Sequence, residues 1–181
     1  MNKMNYRIAL QSKRMLMDGL IKLMETYDFS IITVTQICQE AGLSRRTFYR
    51  LYNTREDILD GYMSTLAEEF IHMVAEVSPC HYTEVAAVYF EFWKQHETFL
   101  NLLKKNNLLD IIYRISGDLA PVVFQKVKPD MELEGMALSY SLSYSLGGLN
   151  GMLIRWVEEG MKLSSGQIKA ILGDTLRIAL I

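Results

Sequence analysis

Between Arg45 and Tyr52 the chain reads RRTFYRLY. Arg45, Arg46 and Arg50 are permanent cations whose guanidinium groups carry planar forks of donors. Thr47 and Tyr49 add hydroxyls to the same stretch. Groups of this kind suit an anionic, hydrogen-bonding partner. An arginine fork can bridge O6 and N7 of a guanine and so specify a base. Hydroxyls and further cations can grip phosphates and set register without reading sequence. Three arginines on an amphipathic helix make only a solvated face unless something presents them in a fixed array.

That array is written into the surrounding residues. The run VTQICQEAGLSRRTFYRLY, from Val34 to Tyr52, predicts two short helices broken by one tight turn. Gly42 is the break, because glycine takes the left-handed conformation that ends a helix and redirects the chain. Cys38, a small residue, stands four positions before it, and the bulky Phe48 stands six positions after it. Ile37, Leu43 and Leu51 complete an inward face. Ser44 can cap the second helix by accepting from an otherwise unpaired backbone N–H. Thr33 caps the first, and Gln36 completes a capping box. This spacing is that of a helix-turn-helix, whose second helix enters the major groove of DNA.

Other elements must hold this pair. From Tyr6 to Tyr27, Ile8, Met15, Leu16, Leu20, Leu23 and Met24 recur at helical spacing and predict a bracing first helix. Phe29 and Ile32 plug the core from the connection that follows. After Tyr52, Asn53 or Thr54 caps a long helix with Glu56 and Asp57 in its first turn, running to about Val77. Ser78-Pro79-Cys80 ends it. A soft boundary near Gly61 divides the chain into a head, residues 1–60, and a body, residues 61–181.

The body predicts five more helices. They begin near Thr83, span Phe99 to Leu103, run from Leu108 to about Val127, extend from Met131 to Glu159, and continue from Ser164 or Ser165 to Ile181. Gly117 and Pro121 are expected to kink or split the third of these. Gly160 ends the fourth. No alternating pattern predicts a strand, so the fold class is all-α with about nine helices. Half the residues are apolar and 22% are charged, which fits a globular chain of 181 residues.

Charge and composition exclude several functions. Residues 1–60 hold nine Lys/Arg and seven Asp/Glu, and the rest hold ten and fourteen, giving +2 and −4. A mildly basic head on an acidic body suits local contact with DNA at one end. His72, His81 and His96 have no Cys or carboxylate partner at ligand spacing, so no metal site is expected. No nucleophile–base pattern, carboxylate pair or phosphate loop is present, so no catalytic residue and no cofactor are expected. Cys38 belongs in the core and Cys80 in a loop, which argues against a bridge and for reduced thiols in a cytoplasmic protein. There is no apolar leader with a cleavage site and no run long enough to cross a membrane.

In the body, Tyr89, Phe92, Trp93, Tyr113, Phe124, Tyr140 and Tyr144 recur on helices that must face one another. Read singly, each suits ordinary core; read together, they suit an apolar pocket with a few hydroxyls for a small ligand. Gly147, Gly148 and Gly151 share one helix, where glycine costs stability and close approach of another helix is the compensating gain. With Trp156, Ile168 and Leu172 they define an expected dimer seam between the last two helices of each subunit, a four-helix bundle.

The run TVTQICQEAGLSRRTFYRLYNTREDIL resembles the DNA-binding region of the TetR family of bacterial transcription regulators, over about residues 8–60. The motif residues are Thr33-Val34, Ile37, Ala41-Gly42-Leu43-Ser44, Thr47-Phe48-Tyr49, Arg55-Glu56-Asp57 and Leu59. GGLNGMLIRWVEEGMKLSSGQI is similar to the end of the body in a Firmicutes branch that includes dihydroxyacetone kinase regulators. The resemblance implies a homodimer on double-stranded operator DNA, with half-sites roughly 34–36 Å apart. It implies that Arg45, Arg46 and Thr47 face bases, and that Thr33, Thr35, Tyr49 and Arg55 hold phosphates, with Ser44 and Arg50 in the same interface. Arg55 stands where the family usually has lysine, and Arg46 where many members have a small residue. The expected function is a repressor released by a small apolar ligand. The alternatives are an activator or co-regulator acting through a protein partner, and a helical small-molecule-binding protein with no role on DNA.

Overall fold

The computed structural model describes residues 3–77 and 81–178. Within them every regular element is a helix. The order is α1 Lys3–Thr26, a 3-10 turn Phe29–Ile31, α2 Val34–Glu40, α3 Arg45–Leu51, α4 Glu56–Val77, α5 Tyr82–Gln95, α6 Glu97–Lys105, α7 Asp110–Val127, α8 Gly135–Glu158 and α9 Ser165–Ile178. The all-α expectation holds. The expected break at Ser78-Pro79-Cys80, and everything read from Cys80, lies outside the described residues.

Contacts divide the chain into two units, residues 1–65 and 66–181, with α4 contributing to both. The division falls after Gly61 because that glycine still packs on the first unit: a Cβ there would stand 3.1 Å from the Tyr52 hydroxyl.

The first unit is α1, α2, α3 and the start of α4. Helices α2 and α3 have seven residues each, too few to be stable alone in water. Packing and capping hold them. Leu16, Leu20 and Met24 of α1, Ile37 of α2, Phe48 of α3 and Ile58 of α4 are all fully enclosed. Gly19 lets α1 and α2 approach, since a Cβ there would meet the Ala41 nitrogen at 3.2 Å and the Ile37 carbonyl oxygen at 3.3 Å. The turn between α2 and α3 is set by Gly42 at φ +64°. It is closed by the Leu43 N–H donating to the Cys38 carbonyl at 2.9 Å. Cys38 is enclosed, and burial pushes its thiol pKa up, with Arg45 opposing.

In the second unit, α5 lies against α9 and α7 against α8. Phe70, Tyr89, Phe92 and Trp93 form an edge-to-face aromatic cluster, and Phe90 meets Trp156 at 5.4 Å between ring centroids. Edge-to-face pairs of this kind add about 0.5–1.5 kcal/mol each beyond area burial. The end of α8 is closed by the backbone. Gly160 and Met161 both take positive φ, the Met161 N–H donates to the Trp156 carbonyl at 2.7 Å, and the Lys104 ammonium donates to the Val157 carbonyl at 3.1 Å.

Two expectations need correction. Pro121 does not split its helix, because Asp110–Val127 is one element with the proline inside. Proline removes the donor that would bond the Gly117 carbonyl and crowds that turn with its ring, and Gly117, with open space where a side chain would stand, leaves the turn room to accommodate it. Helix α8 begins at Gly135 rather than Met131. The Met131 and Leu133 N–H groups bond locally to Lys128 and Met131, which spends the donors in a turn.

The α1–α2 contact gives the first test. Gly19→Val should lower the unfolding free energy of the first unit by about 1–3 kcal/mol through overpacking against backbone atoms that cannot swing away, read as a fall in urea midpoint with unchanged slope. An unaltered midpoint would show that the two helices separate without cost.

Candidate nucleic-acid interface

The capping chemistry expected from the sequence forms locally. The Thr33 hydroxyl accepts from the Gln36 N–H at 3.3 Å while the Gln36 side chain accepts from the Thr33 N–H at 2.8 Å. Ser44 accepts from the Thr47 N–H at 3.1 Å. A further reciprocal cap sits before α4: Asp57 accepts from the Asn53 and Thr54 N–H groups at 2.7 and 3.1 Å, and its own N–H donates to the Thr54 hydroxyl at 3.3 Å. Each such cap is worth about 1 kcal/mol.

These caps fix the frame on which α3 presents its side chains. Arg45, Arg46, Tyr49 and Arg50 are exposed, while Phe48 between them is enclosed. Arg45 lies over the Tyr49 ring, 5.8 Å from its centroid, so the tyrosine holds this guanidinium against the helix. Arg46 and Arg50 make no ion pair among the described residues. No carboxylate occurs within Arg45–Leu51. The surface is therefore a cationic array on a rigid helix, with its countercharge left to a partner.

The remaining expected contacts divide. Thr35 is exposed at the start of α2. Thr33 and Ser44 are exposed but their hydroxyls are engaged as caps. Thr47 is half-buried, and its hydroxyl is bonded to that of Ser44 at 3.0 Å, so it supports the start of α3 more than it reaches outward. Arg55 departs furthest. Its guanidinium turns into the chain, with Nη1 donating to the Ser30 carbonyl at 3.1 Å and to the Ile32 carbonyl.

The expected ligand residues do not converge. Tyr89, Phe92 and Trp93 are enclosed in the aromatic core, Phe124 is half-buried, and Tyr140 and Tyr144 are exposed at 75% and 74%. A cavity of about 360 Å³ does open between α7 and α8, lined by Tyr113, Gly117 and Pro121 on one side and Gly135, Leu138, Ser139, Leu142, Ser143 and Leu146 on the other. Tyr113 is the one expected residue in its wall. Three residues expected at a dimer seam are likewise enclosed in the chain's own core: Trp156, Ile168 and Leu172. Trp156 is also committed by its indole N–H, which donates to the Leu163 carbonyl at 2.9 Å. Gly147, Gly148 and Gly151 are exposed, and Tyr140 and Tyr144 share their side of α8.

Polar groups inside the body went unread. The Tyr89 hydroxyl donates to Asn150 at 3.2 Å, and Asn150 donates to the Leu146 carbonyl at 3.0 Å. Burial drives the Tyr89 pKa far above its ordinary value. The Tyr82 hydroxyl donates to the Ser145 carbonyl at 2.7 Å, and burial pushes its pKa to about 12. A single asparagine in the apolar run GGLNGMLI was the available signal, since a buried amide demands partners. Among the described residues no group of three His, Cys, Asp or Glu can hold a metal ion, and no helix is long and apolar enough to cross a membrane.

The class of protein follows from the helix-turn-helix head, the all-helical body and the match of residues 80–177 to a TetR-type transcriptional regulator C-terminal region. The chain belongs to that family of transcriptional regulators. Among curated proteins it is 26% identical over 117 residues to the HTH-type transcriptional regulator AlkX of Mycobacterium tuberculosis, a match covering 59% of this chain and 54% of AlkX. The chain thus spans about half the length of that relative. Its fold is similar to that of the dihydroxyacetone kinase operon activator DhaS, with TM-score 0.56 and 13% identity over 93% of this chain and 94% of DhaS. A Clostridium perfringens protein proposed to regulate fatty acid metabolism has the same TM-score of 0.56 and 12% identity, over 87% of this chain and 94% of that one.

The cap before α4 has a pH signature. Hydrogen bonds from the Asn53 and Thr54 backbone hold the Asp57 carboxyl below its ordinary pKa. A depressed folded pKa adds stability that is present above the unfolded value, about 3.9, and is lost as pH falls through the folded value. Asp57→Ala should therefore lower the melting temperature at pH 7, and the gap from the parent chain should narrow below about pH 4. A gap that stays constant with pH would mean the carboxylate charge adds nothing.

Proposed function

We propose that the chain is a DNA-binding regulator of the TetR type that reads a duplex with α3 and acts as a homodimer, most simply as a repressor released by a small ligand. The observation that carries this reading is the uncompensated arginine face of α3. Arg45, Arg46 and Arg50 project from a helix that core packing and the Ser44 cap hold rigid. Arg46 is the base reader, because its fork has no protein partner to leave. Arg45, stacked on Tyr49, has a narrower reach and sets register.

The dimer surface is the exposed side of α8. Met136, Tyr140, Tyr144, Gly147, Gly151 and Ile154 recur every three or four residues, and the large members are 79%, 75%, 74% and 41% exposed for Met136, Tyr140, Tyr144 and Ile154. An apolar stripe of this length is costly in water, and its glycines let a second helix approach closely. The ligand reading rests on the cavity between α7 and α8, whose leucines offer apolar walls and whose Tyr113, Ser139 and Ser143 offer hydroxyls. Ligand binding and DNA release would then be reciprocal expressions of one coupling energy. A second reading, activation, is favoured by the naming of the similar structure DhaS as an operon activator.

Arg46→Ala should weaken binding to a duplex selected by the parent chain by about 1–3 kcal/mol and relax preference at one position. The parent affinity should fall as salt rises. An unchanged selected sequence would remove Arg46 from the reading surface. For the dimer, Tyr144→Arg should shift the mass in sedimentation equilibrium from two chains to one at equal concentration, with the helical content kept. A mass that does not move would place the seam elsewhere.

A further inference from the structure

Arg55 is the one cation of the interface motif that is spent internally. Its side chain is 24% exposed and pairs with Glu56 through Nε at 3.0 Å. Its guanidinium carbon lies over the Phe29 ring, 4.7 Å from the centroid. Its Nη1 donates to the carbonyls of Ser30 and Ile32. The second acceptor matters most. The Ile32 carbonyl and the Thr33 N–H belong to one peptide unit. Arg55 holds the oxygen of that unit, while the Gln36 side chain holds its N–H at 2.8 Å. One peptide is thereby pinned at both ends, on entry to Thr33, the N-cap of α2.

We infer that Arg55 is a positioning residue and not a phosphate contact: it latches the start of α4 to the connection before α2 and so fixes where Thr33 and Thr35 meet a DNA backbone. This rests on the proposed DNA reading. The latch needs guanidinium geometry. The guanidinium carbon lies over Phe29, Nη1 alone reaches two carbonyls, and Nε is left for Glu56. An ammonium is one nitrogen on a flexible stem, so lysine could grip a phosphate in this place but could not hold the carbonyls and Glu56 from separate nitrogens while covering the Phe29 ring. The position therefore separates the two roles by a single conservative change.

The test uses the full chain carrying Arg55→Lys, and Phe29→Leu as a second variant that removes the stacking ring while keeping an apolar plug. Amide hydrogen exchange of the free chain is read at Ile31, Ile32 and Thr33, and affinity for a duplex selected by the parent is read across a salt series. A latch predicts exchange at those amides about tenfold faster in Arg55→Lys, with a smaller acceleration in Phe29→Leu. It also predicts an affinity loss of about tenfold with the slope of log affinity against log salt unchanged. A phosphate contact predicts parent-like affinity for lysine and parent-like exchange, and that result would overturn the inference. So would an Arg55→Gln variant whose salt slope falls by about 0.9, the loss of one phosphate, while exchange stays as in the parent. Should the parent select no duplex, the DNA reading fails, and the exchange comparison alone decides the latch: acceleration supports it and unchanged protection overturns it.

Discussion

Helix α3 spans seven residues, fewer than a helix needs to persist alone in water, and every use of its arginines depends on something else enforcing it. That enforcement comes from two sides. Phe48 anchors the inner face of α3, which packs on α1 and α2, while Ser44 satisfies an end group that would otherwise fray the first turn. The neighbouring helix α2 is equally short and is held by the Thr33–Gln36 reciprocal cap. Side chains with several rotatable bonds become useful for recognition only when their Cα atoms are fixed relative to one another. A small core and a handful of end caps supply that fixing.

The body meets a different constraint. Its helices are rich in apolar residues on more than one side, so polar atoms that fall inside must find one another. Tyr89, Asn150 and the Leu146 carbonyl form such a chain, as do Tyr82 and the Ser145 carbonyl. These bonds tie α5 to α8 at defined heights and make the packing directional. At the far end of α8, the Lys104 ammonium rests on a terminal carbonyl, where the helix dipole favours a positive charge.

What the sequence disclosed tracks the distance over which each interaction acts. The caps at Thr33 and Ser44 were legible because donor and acceptor stand three residues apart, and Gly42 was legible because its left-handed turn is a property of one residue. The all-helical class followed from periodicity. Arg55 was not legible, because its acceptors lie twenty-three and twenty-five positions earlier and nothing local says which way a guanidinium turns. The burial of Trp156 and the exposure of Tyr144 were not legible for a related reason. Helix α8 is apolar on several sides, so its pattern names no inner face. Which aromatic is enclosed depends on α5, and Trp156 lies against Phe90 while Tyr144 is left outside. The cavity was missed because it is made by a gap at Gly117 and Pro121 rather than by a cluster of side chains.

The proline in α7 carries one more implication. By lacking an N–H it leaves the Gly117 carbonyl without its usual helical donor, in the wall of the cavity between α7 and α8. An acceptor that belongs to the main chain survives nearly every substitution of the residues around it. Were a small molecule to occupy that space, a hydroxyl or amine bonded to this carbonyl would keep its acceptor through changes in the leucines and serines opposite, so selectivity could be altered by shape alone.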